Sequence, residues 1–261
     1  MSNFAIIGSN GFIAPRHKKA ITDLGHKVVL TCDIKGKADF HDWVEMLNHP
    51  KFQQVEYVSI CTPNYLHSII TREALLKGKK VLCEKPLSVN GTQGMEGVNT
   101  VLQLRYNPAV MHLKLHPPQR LHVEAKMFRG AKYFNSWKGN EVMSGGILYN
   151  LGVHYIDLIV HLFGTDYKIL GVRKSKKCVT GTLRFGEKIA TFHIEIVNRR
   201  KKQGRTLIAD GAEVLLSNQE NLSYEDLHKE VYKEMLEGRG IGLDEAQKAL
   251  DLVKAILEYN D

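Results

Sequence analysis

The chain has 261 residues, 43% of them hydrophobic and 25% charged, with a net charge of +8 and an isoelectric point near 9.2. This length and composition are typical of a globular protein with two domains, and no internal repeat or low-complexity segment is present. No apolar run approaches the roughly 18 residues of a membrane helix. A core strand directly after residue 3 leaves no room for a signal peptide, so we expect a cytoplasmic protein without a membrane partner.

The cysteines and the distribution of basic charge argue against two further classes, metal-binding proteins and nucleic-acid-binding proteins. The cysteines lack C-x-x-C pairing, which favours reduced, buried thiols and no metal site; they are Cys32, Cys61, Cys83 and Cys178. The positive charge concentrates at 174–177 and 199–202, where no aromatic residues are interleaved. We therefore interpret these segments as solvated loops or as attraction for a small anionic substrate, and expect no nucleic-acid partner.

The first element is predicted to form a dinucleotide site. Residues 4–7 are short, apolar and followed by Gly8, which is typical of a buried strand entering a tight turn. Residues 15–24 are predicted as a helix whose first turn would face a pyrophosphate. The pattern departs from G-x-G-x-x-G, so the glycines alone are a weak signal. The residues expected to contact the cofactor here are Gly8, Asn10, Gly11, Phe12 and Ile13.

The second strand, predicted over 26–33, ends in an acidic residue. Asp33 lies 25 residues after Gly8, where the carboxylate that binds the adenosine ribose is expected. Because a carboxylate repels a 2′-phosphate, this residue favours NAD over NADP. The alternative is a glycine turn between a core strand and a helix, with Asp33 as a solvated strand end.

The rest of the first half alternates strands and helices, which predicts a parallel sheet of βαβ units. Strands are expected at 55–61, 80–83 and 100–105, and helices at 39–47 and 67–77. The stripe of Phe40, Trp43, Val44 and Leu47 is expected to lie in the core. Three glycines between 91 and 97 make a crossover helix there doubtful.

From residue 119 onward the pattern predicts a second, mostly antiparallel α+β domain. Its strands are expected at 121–128, 168–174, 179–185, 189–197, 206–210 and 213–216, the last two joined by an Asp210-Gly211 hairpin turn. A helix begins near Tyr149 and ends at Gly164, and two helices close the chain at 224–237 and 243–259. The fold class is thus α/β: an N-terminal doubly wound Rossmann sheet over 1–105, then an α+β domain with a large open sheet over 106–261. We expect helix 243–259 to pack back on the first domain.

Five motifs in order carry a family resemblance that spans nearly the whole chain. They are Gly8-x-x-Gly11, the run Cys61-Thr-Pro-Asn-Tyr-Leu-His67, Glu84-Lys-Pro86, Arg105-Tyr-Asn-Pro108, and the stretch from Gly145 to Asp157. Together they resemble the glucose-fructose oxidoreductase, inositol dehydrogenase and MocA family. Within it the sequence is most similar to the sugar-nucleotide branch, the UDP-N-acetylglucosaminuronate 3-dehydrogenases of the WlbA type. The segments that point to this branch are Gly8–His17, Tyr57–His67, Leu102–Arg105, Ser136–Gly139 and Gly238–Gly242.

The resemblance implies an NAD-dependent enzyme that oxidises the C3 hydroxyl of a UDP-sugar acid. Lys85, at the carboxyl end of a strand, would hydrogen-bond the reacting hydroxyl, and His154 would accept its proton together with Lys85. The alternative for Lys85 is a surface lysine that pairs with Glu84. The alternative for His154 is a histidine of the core with no catalytic role. Many family members have an aspartate four residues before this histidine, whereas Asn150 stands here, which favours the sugar-nucleotide branch and makes Asn150 an orienting residue.

The resemblance also assigns the remaining contacts. Residues expected to lie along the nicotinamide end of the cofactor are Thr62, Pro63, Asn64, His67, Glu84 and Lys85, with His67 also interpretable as a simple helix-start residue. Arg105 and Lys138 are expected to bind the anionic substrate, with Lys202 and Arg205 assisting. The implied assembly is a homodimer or homotetramer. Segments 34–40 and 88–99 are shorter than is usual in the family.

Two alternative functions stay open at this point. One is a family dehydrogenase acting on a free sugar, a polyol or another nucleotide sugar. The other is an NAD-binding sensor or scaffold that has kept the fold and lost catalysis, because fold alone does not imply function.

Overall fold

A computed structural model of the chain describes residues 1–214 and 225–260. The described residues form two compact units: the first contains 1–102 and 225–246, and the second contains the described parts of 103–224 and 247–261. This division differs from the expected boundary at 105 because residues 225–246 belong to the first unit. The reason is burial: Val231 and Tyr232, 2% and 0% exposed, lie in the core beside the first helix.

The first unit is built on a five-stranded parallel sheet of order β2-β1-β3-β4-β5. The strands are β1 (Asn3–Ile7), β2 (Lys27–Cys32), β3 (Tyr57–Ile60), β4 (Lys80–Cys83) and β5 (Val98–Thr100). Its helices are α1 (Ala14–Asp23), α2 (Trp43–Asn48), α3 (His67–Leu76) and, from the end of the chain, α8 (Glu225–Leu236). The strand order reverses at β1, so the loops after β1 and β3 flank the position where such sheets bind ligands. The predicted parallel Rossmann sheet is confirmed.

Two details of the first unit differ from prediction. The strand expected over 100–105 ends at Thr100 and is followed by a 3-10 turn, Gln103–Tyr106. This turn belongs to the second unit, where it packs against a helix that carries the ion-pair partner of Arg105. In α2, which begins only after the Asp42 cap, the predicted core residue Val44 is 45% exposed, and Met46 is buried instead.

The connection between β4 and β5 contains no helix, as the glycines predicted. Residues 84–97 are all described, and they form turns and bends only. Gly91, Gly94 and Gly97 have φ values of 96°, 71° and 88°, in the left-handed region that glycine adopts without strain.

The second unit contains a six-stranded, mostly antiparallel sheet of order β11-β10-β6-β9-β8-β7, as predicted, with β6 and β9 parallel. The strands are β6 (Arg120–Phe128), β7 (Lys168–Lys174), β8 (Cys178–Phe185), β9 (Lys188–Val197), β10 (Gly204–Ala209) and β11 (Ala212–Val214). The predicted hairpin turn is present, with φ of 48° at Asp210 and 86° at Gly211. The predicted end of the last strand, Leu215 and Leu216, lies outside the described residues.

The helices of the second unit are α4 (Pro108–Leu115), α5 (Ala131–Phe134), α6 (Glu141–Ser144) and α7 (Val153–Phe163). α9 (Leu243–Glu258) begins in the first unit and continues in the second from residue 247. Ala246, Ala249, Leu250 and Val253 are buried along one side of α9, and Leu257, near the helix end, is 38% exposed. The stretch Glu141–Phe163 is long and apolar enough to cross a membrane by length and composition alone, and most of it is buried within the structure, as in a core helix.

One face of the second sheet remains open and polar. Alternate residues of β6 and β9 on this face are half-buried, and they include Glu124, whose carboxylate pairs with Lys126 at 2.7 Å and His193 at 3.2 Å.

The homodimer or homotetramer expected from the family resemblance stays a prediction.

Candidate active site

The turn after β1 requires glycine for two independent reasons. Gly8 has a φ of +83°, and a Cβ atom there would lie 2.7 Å from the backbone carbon and oxygen of Cys61. A Cβ at Gly11 would lie 3.1 Å from the Gly8 oxygen. The bare backbone therefore forms a cradle before α1, at the positive end of the dipole of that helix. These features fit a bound dinucleotide pyrophosphate. Phe12, 82% exposed, and Ile13 complete the turn.

The predicted ribose-binding acid is fixed by the same turn. The backbone N–H of Asn10 donates to Asp33 Oδ2 at 2.8 Å, and that of Lys35 donates to Oδ1 at 3.0 Å. The Asn10 side chain donates to the Lys35 carbonyl at 2.6 Å. Asn10, which breaks the glycine fingerprint, thus joins the two loops that follow β1 and β2 and holds the Asp33 carboxylate at the edge of the turn.

Replacing Gly8 by alanine is expected to weaken NAD binding at least tenfold and to destabilise the first unit. The left-handed backbone alone costs an L-residue about 1–2 kcal/mol, and the contact with the Cys61 backbone cannot be relieved by side-chain movement. NADH fluorescence titration and thermal unfolding measure the two effects. Gly25→Ala is the matched control, since Gly25 has a φ of 78° and open space around its Cβ position. Equal NADH affinities in the two variants would contradict the cradle.

His67 ties together the loops that follow β3 and β4. It is fully buried at the start of α3; its Nδ1 lies 2.7 Å from the Pro86 carbonyl oxygen and its Nε2 lies 2.9 Å from that of Thr62. Burial lowers its pKa despite these carbonyl contacts. The peptide bond before Pro86 is cis. Thr62, Pro63 and Asn64 form the turn into α3, with Asn64 buried. The predicted helix start is confirmed, and the nicotinamide contacts of this segment stay predictions.

Lys85 directly follows Glu84 at the carboxyl end of β4. Its own backbone N–H donates to Glu84 Oε2 at 3.1 Å, and Glu84 is 7% exposed. The other carboxylate oxygen, Oε1, lies 3.0 Å from Nε2 of His17 on α1. Burial raises the pKa of Glu84, but its contacts with His17 and His228 outweigh burial and hold the pKa well below the usual range. Glu84 is therefore an ionised group turned toward the core, and its side chain fixes the backbone that carries Lys85.

In the second unit, Asn150 and His154 lie where a π-helical turn meets α7. The π-helical turn is Leu148–Gly152, and such turns are frequent at functional sites. Asn150 is buried, and its Nδ2 donates to the hydroxyl oxygen of Tyr133 at 2.7 Å. The hydroxyl proton of Tyr133 is therefore not used in this bond and can be donated elsewhere. Burial raises the pKa of Tyr133, so the phenol stays protonated.

A half-buried basic cluster lies beside this tyrosine. The Arg129 guanidinium carbon is 5.5 Å from the centre of the Tyr133 ring, and the Lys138 ammonium group is 5.6 Å from that of Trp137. Burial lowers the pKa of Lys138, and the charge of Arg129 adds to this effect; burial also lowers the pKa of Arg129, where Arg205 contributes positive charge. Among the side chains that the structure describes, no carboxylate forms an ion pair with Arg129 or Lys138.

Arg105, predicted to bind substrate, has a protein partner. Its Nε donates to Asp157 Oδ2 at 3.0 Å, and its Nη2 donates to Oδ1 at 2.7 Å, with both residues buried. Asp157 is three residues after His154 on α7, so this fork-shaped ion pair anchors the helix that carries His154. The structure thus gives Arg105 an anchoring contact, and its direct contact with substrate stays a prediction.

Among the described residues, one cluster has metal-ligand chemistry, although the sequence suggested none. It consists of His17, Glu84 and His228, whose ligand atoms lie within 4.8 Å of one another in the core. All four cysteines are free thiols, as expected, with Cys178 half-buried and the others buried.

A doubly wound parallel sheet with a glycine cradle before α1 and an acid after β2 defines an NAD-binding Rossmann protein. Residues 2–104 match the model of an oxidoreductase family with an NAD-binding Rossmann fold, and residues 114–198 match the model of that family's C-terminal alpha/beta domain. The chain belongs to the glucose-fructose oxidoreductase, inositol dehydrogenase and MocA family, and its cofactor is NAD.

Known relatives fall into two groups. The WlbA (WbpB) dehydrogenase of Thermus thermophilus, solved with NAD and alpha-ketoglutarate, is 30% identical with a TM-score of 0.85, covering 100% of this chain and 96% of that one. The same enzyme was also solved with NAD and UDP-GlcNAcA, with a TM-score of 0.83. The glucose-6-phosphate 3-dehydrogenase of Bacillus subtilis is 24% identical over 78% of this chain, and the chain spans 65% of that enzyme's length. An inositol 2-dehydrogenase of Salmonella typhimurium is 26% identical over 62% of this chain and 55% of its own length.

Three residues of these sites were missed by the sequence analysis. His17 was quoted only as the end of a motif, Arg129 carried no signal beyond its charge, and Tyr133 lies three residues before the Ser136–Gly139 motif. The distance in sequence between Tyr133 and Asn150 hid their hydrogen bond, which depends on how α5 folds beside the π-helical turn.

Proposed function

We propose that this protein is an NAD-dependent dehydrogenase that oxidises the C3 hydroxyl of an anionic nucleotide sugar, similar to UDP-N-acetylglucosaminuronic acid, to the 3-keto sugar. The observation that carries the proposal is the basic cluster of Arg129 and Lys138, half-buried beside Tyr133 without a carboxylate partner among the described residues. Partly buried cations are costly unless an anion pairs with them. A sugar carboxylate or a diphosphate supplies that charge.

The proposed reaction assigns a distinct task to each residue. NAD, when bound at the glycine cradle and Asp33, supplies the hydride acceptor. Lys85 hydrogen-bonds the reacting hydroxyl, and a ring nitrogen of His154 takes up its proton. Tyr133, oriented by Asn150, donates a hydrogen bond to the sugar. Arg129 and Lys138 bind the anionic groups. The complex of the Thermus thermophilus relative with NAD and UDP-GlcNAcA supports this substrate class.

The second candidate is a dehydrogenase of a free sugar, a sugar phosphate or a polyol. The names of the sequence relatives favour it, since they include a glucose-6-phosphate and an inositol dehydrogenase. NADH formation is measured with UDP-N-acetylglucosaminuronic acid, glucose 6-phosphate, glucose and myo-inositol, with 2-oxoglutarate present to recycle tightly bound NADH. We expect the highest kcat/KM with the UDP-sugar acid. Turnover of the other compounds alone would support the second candidate.

Lys138→Met is expected to raise KM for the UDP-sugar acid by about 10- to 100-fold, the equivalent of one charge-assisted hydrogen bond. NAD affinity should stay unchanged. The matched control is Lys132→Met, which removes the same charge from an exposed position on α5. Steady-state kinetics of both variants measure the effect, and identical KM values would remove Lys138 from the substrate site.

A further inference from the structure

A chain of buried polar side chains links Glu84 to α8. Ser59 Oγ on β3 lies 2.6 Å from the Tyr232 hydroxyl oxygen, which lies 2.7 Å from His17 Nδ1. His17 Nε2 in turn lies 3.0 Å from Glu84 Oε1. Ser59, His17 and Tyr232 are each 0% exposed. Hydrogen bonds therefore connect four segments of the first unit that are distant in sequence, and the last of these bonds reaches the Glu84 carboxylate.

The donors and acceptors of this chain have one consistent assignment. An ionised Glu84 only accepts, so His17 Nε2 carries a proton and donates it to Oε1. Burial lowers the pKa of His17 despite the neighbouring carboxylate, so the ring is neutral and its Nδ1 accepts. The Tyr232 hydroxyl must then donate to Nδ1, and the Ser59 hydroxyl donates to the Tyr232 oxygen. Burial raises the pKa of Tyr232 well above its usual value, which keeps this hydroxyl protonated.

His228 is the remaining group at the cluster. Its Nε2 lies 3.5 Å from Glu84 Oε1, its ring centre lies 5.3 Å from that of His17, and neither of its nitrogens makes a hydrogen bond to the described residues. A divalent cation could also use these ligand atoms, since a tetrahedral zinc site with bonds of about 2.0–2.1 Å places its ligands roughly 3.3 Å apart. In the metal-free cluster His17 Nε2 carries a proton that it donates to Glu84 Oε1, and a bound metal would have to displace this proton from Nε2.

We propose that Tyr232 and His17 are positioning residues that hold the Glu84 carboxylate in place and thereby fix the backbone of Lys85, so that α8 supports the active site indirectly. The inference rests on the proposed function only in naming Lys85 as the group positioned. Glu84 uses one oxygen for His17 and the other for the Lys85 N–H. Rotation of the carboxylate would break both contacts, so the hydroxyl of Tyr232 acts on Lys85 through two intermediate side chains.

Tyr232→Phe removes the hydroxyl that donates to His17 Nδ1 and keeps the aromatic ring. We expect kcat to fall about tenfold, the rate equivalent of one hydrogen bond in a buried network, with the NADH dissociation constant within about twofold of wild type. Tyr57→Phe is the matched control: Tyr57 is also buried, and its ring also contacts Phe4, but its hydroxyl meets Lys80 instead of the cluster. Equal kcat values in the two variants would overturn the proposal.

The second pair of variants tests the cluster without any substrate. His17→Gln keeps an N–H donor toward Glu84 and an acceptor toward Tyr232, whereas His17→Met keeps neither. In NAD-free protein at about pH 6, infrared spectroscopy should show a protonated-carboxyl band in His17→Met that is absent from wild type and His17→Gln, because a buried carboxylate without its donor takes up a proton. Glu84→Gln assigns the band.

These results separate the positioning role from the proposed function. If wild type turns over no sugar, the proposed function fails, and the infrared comparison still decides the role of His17. The same spectrum in His17→Met and wild type would overturn the inference. Stoichiometric metal in purified wild type, measured by inductively coupled plasma mass spectrometry and lost in His228→Ala, would also overturn it, because a metal would then hold Glu84.

Discussion

Lys85→Met is expected to lower kcat by about 10²- to 10⁴-fold, the range for loss of a group that takes part in proton transfer. Methionine preserves the length and apolar stem of the side chain, and the backbone N–H of residue 85 still donates to Glu84. The NADH dissociation constant should therefore change much less than kcat. Absorbance assays of NADH formation and fluorescence titration of NADH measure the two quantities separately.

The control for this variant is Lys80→Met at the other end of β4. Lys80 is exposed, and its ammonium group contacts only the Tyr57 ring and hydroxyl among the contacts described for it, so its loss should leave kcat within about twofold. A Lys85→Met enzyme as active as this control would remove Lys85 from the chemistry. A wild-type protein that binds NAD and oxidises none of the tested sugars would instead favour the sensor or scaffold alternative.

The first sheet was predictable from sequence because its signals are local. Each strand is a short apolar run that ends in glycine or a polar turn, and a strand buried on both faces reads as continuously apolar. Residues 4–7 of β1 and residues 81–83 of β4 both show this pattern, and β4 has the predicted bounds of 80–83. Likewise, the Asp210-Gly211 hairpin carries a two-residue signature for left-handed backbone, and both residues adopt it.

The errors share a different cause, which is dependence on contacts distant in sequence. The strand expected to reach residue 105 stops early because Arg105 pairs with Asp157, 52 residues away. The position of α8 in the first unit depends on Tyr232, whose hydrogen-bond partners are Ser59 and His17. Side-chain spacing within α8 gives no indication of which sheet the helix covers.

In the candidate site, too, the residues with a local sequence signal were predictable and those that depend on distant contacts were not. Gly8, Asp33 and Lys85 were identifiable because each lies within two residues of the end of a strand, and the carboxyl edge of a parallel sheet is where ligands bind. Tyr133 and Arg129 follow β6 in a mixed sheet, where no such positional rule applies. The contact of Glu84 with the cofactor stays a prediction, and the pairing of its side chain with His17 was not predictable because it depends on how α1 packs beside β4.

Asp157→Ala is expected to destabilise the second unit by about 3–5 kcal/mol, since it leaves the buried Arg105 guanidinium without its carboxylate. The pair is 1% and 7% exposed. Compared with a total stability of about 5–15 kcal/mol for a domain, this loss is large. The variant should also lose activity, because the pair anchors the first turns of α7, where His154 lies.

The two tryptophans allow the units to be followed separately, since Trp43 lies in the first and Trp137 in the second. In a Trp43→Phe background, urea unfolding monitored by fluorescence reports the second unit. The double variant Arg105→Met, Asp157→Leu removes both charges and should recover most of the lost stability. Glu258→Gln breaks an ion pair with Lys254 whose side chains are 67% and 66% exposed, and should cost less than about 1 kcal/mol. If Asp157→Ala unfolds at the same urea concentration as Glu258→Gln, the Arg105 pair does not anchor α7, and the position of His154 must depend on the other contacts of that helix.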